Sequence, residues 1–156
     1  MNGKVIAMFL IGTAAIGGAA MYWLQVHAFY ERVSADQVDI LLTNVATGQP
    51  EPIPVSGLQA IDAGSSPLRF RACFTTAYST PTLTETYVIK DDAVPLVAPG
   101  WFDCFDAAAI GAALEEGRAI AYLGQRDISD GVDRVVAVFD DGRAYAWHQL
   151  NETYKD

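Results

Sequence analysis

Val5-Ile6-Ala7-Met8-Phe9-Leu10-Ile11-Gly12-Thr13-Ala14-Ala15-Ile16-Gly17-Gly18-Ala19-Ala20-Met21-Tyr22-Trp23-Leu24-Gln25-Val26 is a run of 22 residues without a charge. As a helix rising ~1.5 Å per residue it spans roughly 33 Å, and the hydrocarbon core of a bilayer is ~30 Å thick. A small tilt takes up the difference. Tyr22 and Trp23 fall near its far end, where amphipathic rings favour the headgroup level, and are read as membrane-interface residues. The run divides the chain into an N-terminal segment (1–4), a transmembrane helix (5–26), a juxtamembrane helical extension and linker (27–36) and a domain (37–156).

A cleavable signal peptide is the rival reading, with Lys4 as its positive flank and Gly18-Ala19-Ala20 as its cleavage site. Against it, the apolar run continues through Met21, Tyr22, Trp23 and Leu24, further than a secretory core of ~7–15 residues needs. A retained anchor is therefore expected. Lys4 and the α-amino group lie on the short side with no acid, while the far side begins with His27, Glu31, Arg32, Asp36 and Asp39. The positive-inside rule then leaves the N-terminus in the cytoplasm and sends the domain across. About four residues inside leave no room for a cytoplasmic output domain.

The exported part holds 9 of the 10 basic residues and all 19 acidic ones, a net charge of −10. Such a surface disfavours nucleic acid and anionic headgroups, and favours solubility or a cationic partner. Some 120 residues suit one compact domain with a modest core.

Within it, Val38, Ile40 and Leu42 alternate with Asp39 and Leu41 as a short strand. Gln49 to Pro54 carries prolines at alternate positions and reads as an extended connection rather than a helix or central strand. Leu58 to Asp62 is a brief strand. Leu68 to Thr75 has the clearest period of two, with Leu68, Phe70, Ala72 and Phe74 on one face. A turn near Pro81 and a strand from Leu83 to Ile89, rich in β-branched and aromatic residues, complete an expected hairpin. A helix follows Asp103 or Asp106 as cap and ends before Gly117. Arg118 to Leu123 is a strand, and Asp133–Phe139 with Arg143–Gln149 form a second hairpin around Asp140-Asp141-Gly142. The fold class is α+β: mostly antiparallel strands with one helix packed on a face.

Arg-Ala-Cys-Phe-Thr-Thr (71–76), Pro-Gly-Trp-Phe-Asp-Cys-Phe-Asp-Ala-Ala (99–108), Asp-Arg-Val-Val-Ala-Val-Phe (133–139) and Ala-Trp-His-Gln (146–149) form a pattern. With the small-residue anchor and the Phe-Tyr-Glu after it, this resembles uncharacterised single-pass inner-membrane proteins of alphaproteobacteria. The resemblance covers nearly the whole chain. It implies a bacterial inner membrane with the domain in the periplasm, and no mechanism. Relatives would be expected to run on beyond the region of His148.

Cys73 and Cys104 lie 31 positions apart on the exported side, where disulfides persist, and are expected to pair. A redox-active pair would more usually be Cys-x-x-Cys. No spacing supports a metal site on Cys73, Cys104, His148 and His27. His148 is expected at a sheet edge. Gly64-Ser65-Ser66 lacks a nucleophile elbow, and Asp127 to Asp133 lacks the final glutamate of a calcium loop. The acidic pairs Asp91-Asp92, Glu115-Glu116 and Asp140-Asp141 read as solvated turns. No catalytic residue, cofactor or metal ligand is assigned.

The sharpest functional pattern is in the anchor. Gly12, Thr13, Ala14, Ala15, Gly17, Gly18 and Ala19 give small-xxx-small pairs that let helix backbones approach closely in lipid. The expected function is thus a non-catalytic accessory or assembly subunit docked through this helix on integral membrane helices, with a respiratory complex the expected host. The alternative is a tethered acidic module for a soluble cationic partner such as a c-type cytochrome. A periplasmic enzyme is the third class, for which no motif speaks.

Overall fold

The computed structural model describes residues 2–154. Met1 of the expected N-terminal segment and residues 155–156 of the expected domain lie outside the described residues. Helix α1, Gly3–Trp23, continues through a π-helical turn, Leu24–Ala28. The apolar helix is long enough to cross a membrane, and no residue of α1 itself is buried by the rest of the chain.

The expected helical extension beyond Phe29 is replaced by strand β1, Glu31–Val33. Tertiary pairing decides this: Glu31, Arg32 and Val33 lie opposite Asp62, Ile61 and Ala60 of β4, Ser56–Asp62. Three residues carry too little helix propensity to resist a waiting sheet edge.

β1 is the outer strand of a six-stranded antiparallel sheet ordered β1-β4-β5-β8-β7-β6. Its other members are β5 (Arg71–Thr75), β6 (Ala119–Ser129), β7 (Val132–Phe139) and β8 (Arg143–Leu150). The expected second hairpin is present as β7 and β8, with Val136 opposite Ala146. Gly142 closes it with φ +85°, and a Cβ there would stand 2.9 Å from the Thr76 carbonyl oxygen. Only glycine fits both conditions.

β2 (Leu41–Thr43) and β3 (Pro50–Pro52) form a separate two-stranded sheet. Pro50 and Pro52 lie opposite Thr43 and Leu41. A two-stranded ribbon has only edges, which is where proline without an N–H is tolerated.

The expected strand from Leu83 to Ile89 is instead mostly helix α2, Thr80–Thr86. The Ser79 side chain accepts from the Thr82 backbone N–H, and Pro81 occupies the first turn, both helix-start signals. Leu83 and Tyr87, four apart, are both buried. Tyr87 and Ile89 make only single bridges, to Asn44 and Tyr122. Helix α3 (Ala107–Glu115) is capped by Asp106, whose side chain accepts from the Ala109 N–H. Gly117 follows it with φ +70°, as the sequence predicts.

Both faces of the sheet are covered. On one, Phe70, Ala72, Phe74, Val136 and Ala146 pack with Ile40, Leu42, Leu83 and Tyr87. On the other, Cys73, Val135, Ala137 and Trp147 pack with Phe102, Phe105 and Ile110. The central strands therefore have no wet face, and every polar side chain on them needs a partner inside the protein. The class is α+β, with more helix than the sequence reading expects.

Candidate functional site

The anchor residues come first. Gly12, Thr13, Ala14, Ala15, Gly17, Gly18 and Ala19 all lie on α1. A Cβ built at Gly12, Gly17 or Gly18 meets nothing within 4 Å, so close approach to this helix is open. The Thr13 hydroxyl is turned inward, donating to the carbonyls of Phe9 and Leu10 at 3.0 Å. Tyr22 and Trp23 are exposed near the end of α1, and the Trp23 ring lies against that of His27.

The helical segment meets the domain at Val26. The Trp101 indole N–H donates to the Val26 carbonyl at 2.8 Å. Around this bond, Arg32 lies over the Trp101 ring, and Arg69 lies over the rings of Phe29 and Tyr30.

Cys73 on β5 and Cys104, in the loop before α3, are bonded to each other with Cα atoms 6.3 Å apart. The bond pins the loop and helix to the second sheet face. Both sulfurs are thereby consumed and cannot act as thiolate ligands. Among the described residues, no group of three or more His, Cys, Asp and Glu side chains is placed to hold a metal ion.

His148 is not at a sheet edge. β8 is an inner strand, flanked by β5 and β7, and His148 is buried with its ring stacked on Phe70. One nitrogen, Nδ1, lies 2.6 Å from the Pro67 carbonyl, and the other, Nε2, is 3.0 Å from Arg134 Nε. A carbonyl can only accept and a guanidinium can only donate. The imidazole is therefore neutral, with its proton on Nδ1. Burial, then the Arg134 cation, push its pKa down from 6.5 to about 4. With both nitrogens occupied, it is a holder of Arg134 rather than a proton acceptor.

Arg134 sits over the Phe70 ring at 4.2 Å and donates through Nη1 to the Asp39 carbonyl. Burial lowers its pKa to about 10. It and His148 border an open cleft of about 440 Å³ that also meets Asp62, Pro67 and Ser129. Burial raises the Asp62 pKa. Sequence reasoning missed this cluster. Its one available signal was Arg134 standing directly opposite His148 in the expected hairpin.

Residues 40–156 match a family of unknown function, DUF6446. The chain belongs to that family. No curated protein matches the chain, and no solved structure does. The DUF6446 region takes in both cysteines, Arg134 and His148, and starts beyond α1 and β1.

Two further clusters of this DUF6446 domain bind their own chain. Arg71, buried on β5, donates to the carbonyls of Leu68, Phe70, Leu96 and Val97 and so holds the 94–97 segment down. Burial brings its pKa to about 10. Asp133, fully buried on β7, accepts from the Asp127 N–H and from Asn151, and lies 3.5 Å from the Lys90 ammonium. Asp130 accepts from the Tyr154 hydroxyl. The acids of 127–133 thus close a hairpin instead of a cation loop. In Asp140-Asp141, each carboxylate has its own partner, Thr80 and Arg143.

Proposed function

We propose that the protein is a non-catalytic accessory or assembly subunit of a larger inner-membrane complex, docked through α1. On this reading the N-terminus is cytoplasmic, the domain is periplasmic, and a respiratory complex is the host. One observation carries it: α1 is bare along its whole length, and the backbone at Gly17 and Gly18 is open to a neighbour. Helix association in lipid rests on such close backbone packing. A tether facing only lipid has no use for it.

Gly18→Leu tests this. The larger side chain holds a neighbouring backbone away while preserving hydrophobicity. The variant is expected to remain in the membrane fraction with its disulfide formed, yet to run on native gels as the free subunit. Wild type is expected to run with its host. Co-migration of Gly18→Leu with the same assembly would reduce α1 to a tether. Large apolar exchanges at Phe9 or Leu10 are expected to change little.

The charge of −10 on residues 27–156 supports a second reading, a tethered module for a cationic soluble partner such as a c-type cytochrome. Binding to cytochrome c should then weaken markedly between low and physiological salt. An affinity flat across that range would leave the charge to solubility alone.

A further inference from the structure

The joint between α1 and the sheet places one end of the domain at a defined level. Only Phe29 and Tyr30 separate the π-helical turn from β1, and two residues reach at most about 7 Å. The Trp101 indole is bonded to the Val26 carbonyl. Val26 is four residues past Tyr22, about 6 Å along the helix axis. Tyr22 and Trp23 are the side chains that favour the headgroup layer. The segment leading into Trp101 therefore lies within about one helical turn of that layer.

The same segment exposes aliphatic side chains. Val97 is 80% exposed and Val94 57%. Arg71 draws the carbonyls of Leu96 and Val97 toward the sheet, and the backbone is satisfied while the valines stay outside. Leu68, Val94, Leu96 and Leu150 line an open cleft of about 310 Å³ that is almost wholly apolar. All of these sit at the sheet end where β1 begins, because Glu31 lies opposite Asp62 and Arg71 lies between Ile61 and Trp147. Arg69 adds a guanidinium at the same joint, with Nη1 buried and without an acceptor.

We propose that this end of the sheet is seated in the headgroup layer of the bilayer that α1 enters. Leu68, Val94, Leu96, Val97 and Leu150 are its lipid contacts, and the exposed Arg32 faces headgroup phosphates. The occupant is lipid because the patch lies at the same end of the sheet that the membrane-spanning helix joins, through a two-residue link to β1. A domain of net charge −10 is repelled by anionic lipid, so the seat is apolar contact rather than charge attraction. The proposal rests on the reading that α1 spans a membrane and is independent of what α1 packs against.

The test uses the full chain, with Cys73 and Cys104 already bonded, reconstituted into phosphatidylcholine vesicles. Val97→Cys and Ala77→Cys are each labelled with a nitroxide; Ala77 follows β5 at the opposite end of the sheet. Relaxation by oxygen, which concentrates in lipid, is compared with relaxation by a water-soluble nickel chelate. The oxygen-to-nickel ratio should be several-fold higher at position 97 than at 77. Equal ratios in protein that floats with the vesicles would overturn the seat while leaving the anchor standing. A label at 97 screened from both reagents would mean that protein covers the patch, and overturns it too. Protein that fails to float would bring down the spanning helix itself.

Discussion

Replacing Cys104 by serine should lower the melting temperature of the domain by roughly 10–20 °C, the shift expected for about 3–4 kcal/mol in a domain of this size. The loss is large because the bond closes a separation of 31 residues. It is also the covalent link between the sheet and the layer that covers its second face. Without it, that layer is held by Phe102, Phe105 and Ile110 against Trp147, and by the Arg71 bonds to Leu96 and Val97. Those contacts are expected to keep the variant folded at 25 °C. Circular dichroism melts of oxidised wild type and Cys104→Ser measure the difference. A melting temperature unchanged in the variant would mean that the clasp contributes nothing, and that the aromatic layer alone sets the stability.

Acidification should destabilise the domain through His148, by an amount on the order of 3 kcal/mol at full effect. The unfolded imidazole takes a proton near 6.5, whereas the folded one resists down to about 4. Between those values the unfolded state binds more protons. Stability is thus complete above about 6.5, falls as the pH drops through that window, and has lost the whole contribution below about 4. Protonation would set an imidazolium against the Arg134 cation 3.0 Å away, so Arg134 loses the acceptor that holds it over Phe70. Many carboxylates titrate in the same range, and Asp62, with its raised pKa, opposes the trend. His148→Gln isolates the effect, since the amide keeps an acceptor for Arg134 and does not titrate. Denaturant titrations at pH 7.5, 5.5 and 4.5 should show the two proteins diverging, with wild type falling more steeply on acidification. Parallel curves would remove His148 from the acid response.

The elements legible in the sequence are those that local chemistry settles. β7 and β8 are joined by a turn whose glycine has no substitute, and α3 is bracketed by Asp106 and Gly117. The cysteines could be paired because the chain offers two and no Cys-x-x-Cys. The misread elements were settled at a distance. β1 exists because β4 has an open edge for it. α2 carries β-favouring threonines and runs into Tyr87, but the burial of Leu83 and Tyr87 against the sheet selects the helical spacing. His148 looked peripheral because its position near the end of the chain does not reveal that β8 lies inside the sheet. The Arg134 partnership was hidden for the same reason. A register can suggest that two side chains are neighbours, but it does not show how far they are withdrawn from water.

The joint at Phe29 and Tyr30 also fixes how far the protein can act. A flexible tether of n residues lets its cargo wander about 5–6 Å × √n, so two residues allow only about 8 Å. The Trp101 bond to Val26 restrains even that. With α1 in a membrane, such a domain cannot sweep the surrounding solvent for distant partners, as a module on a long linker does. Its working volume is a thin disc above the bilayer around its own helix. Whatever it meets must either share that membrane or come down to its surface, and for those neighbours its effective concentration is high.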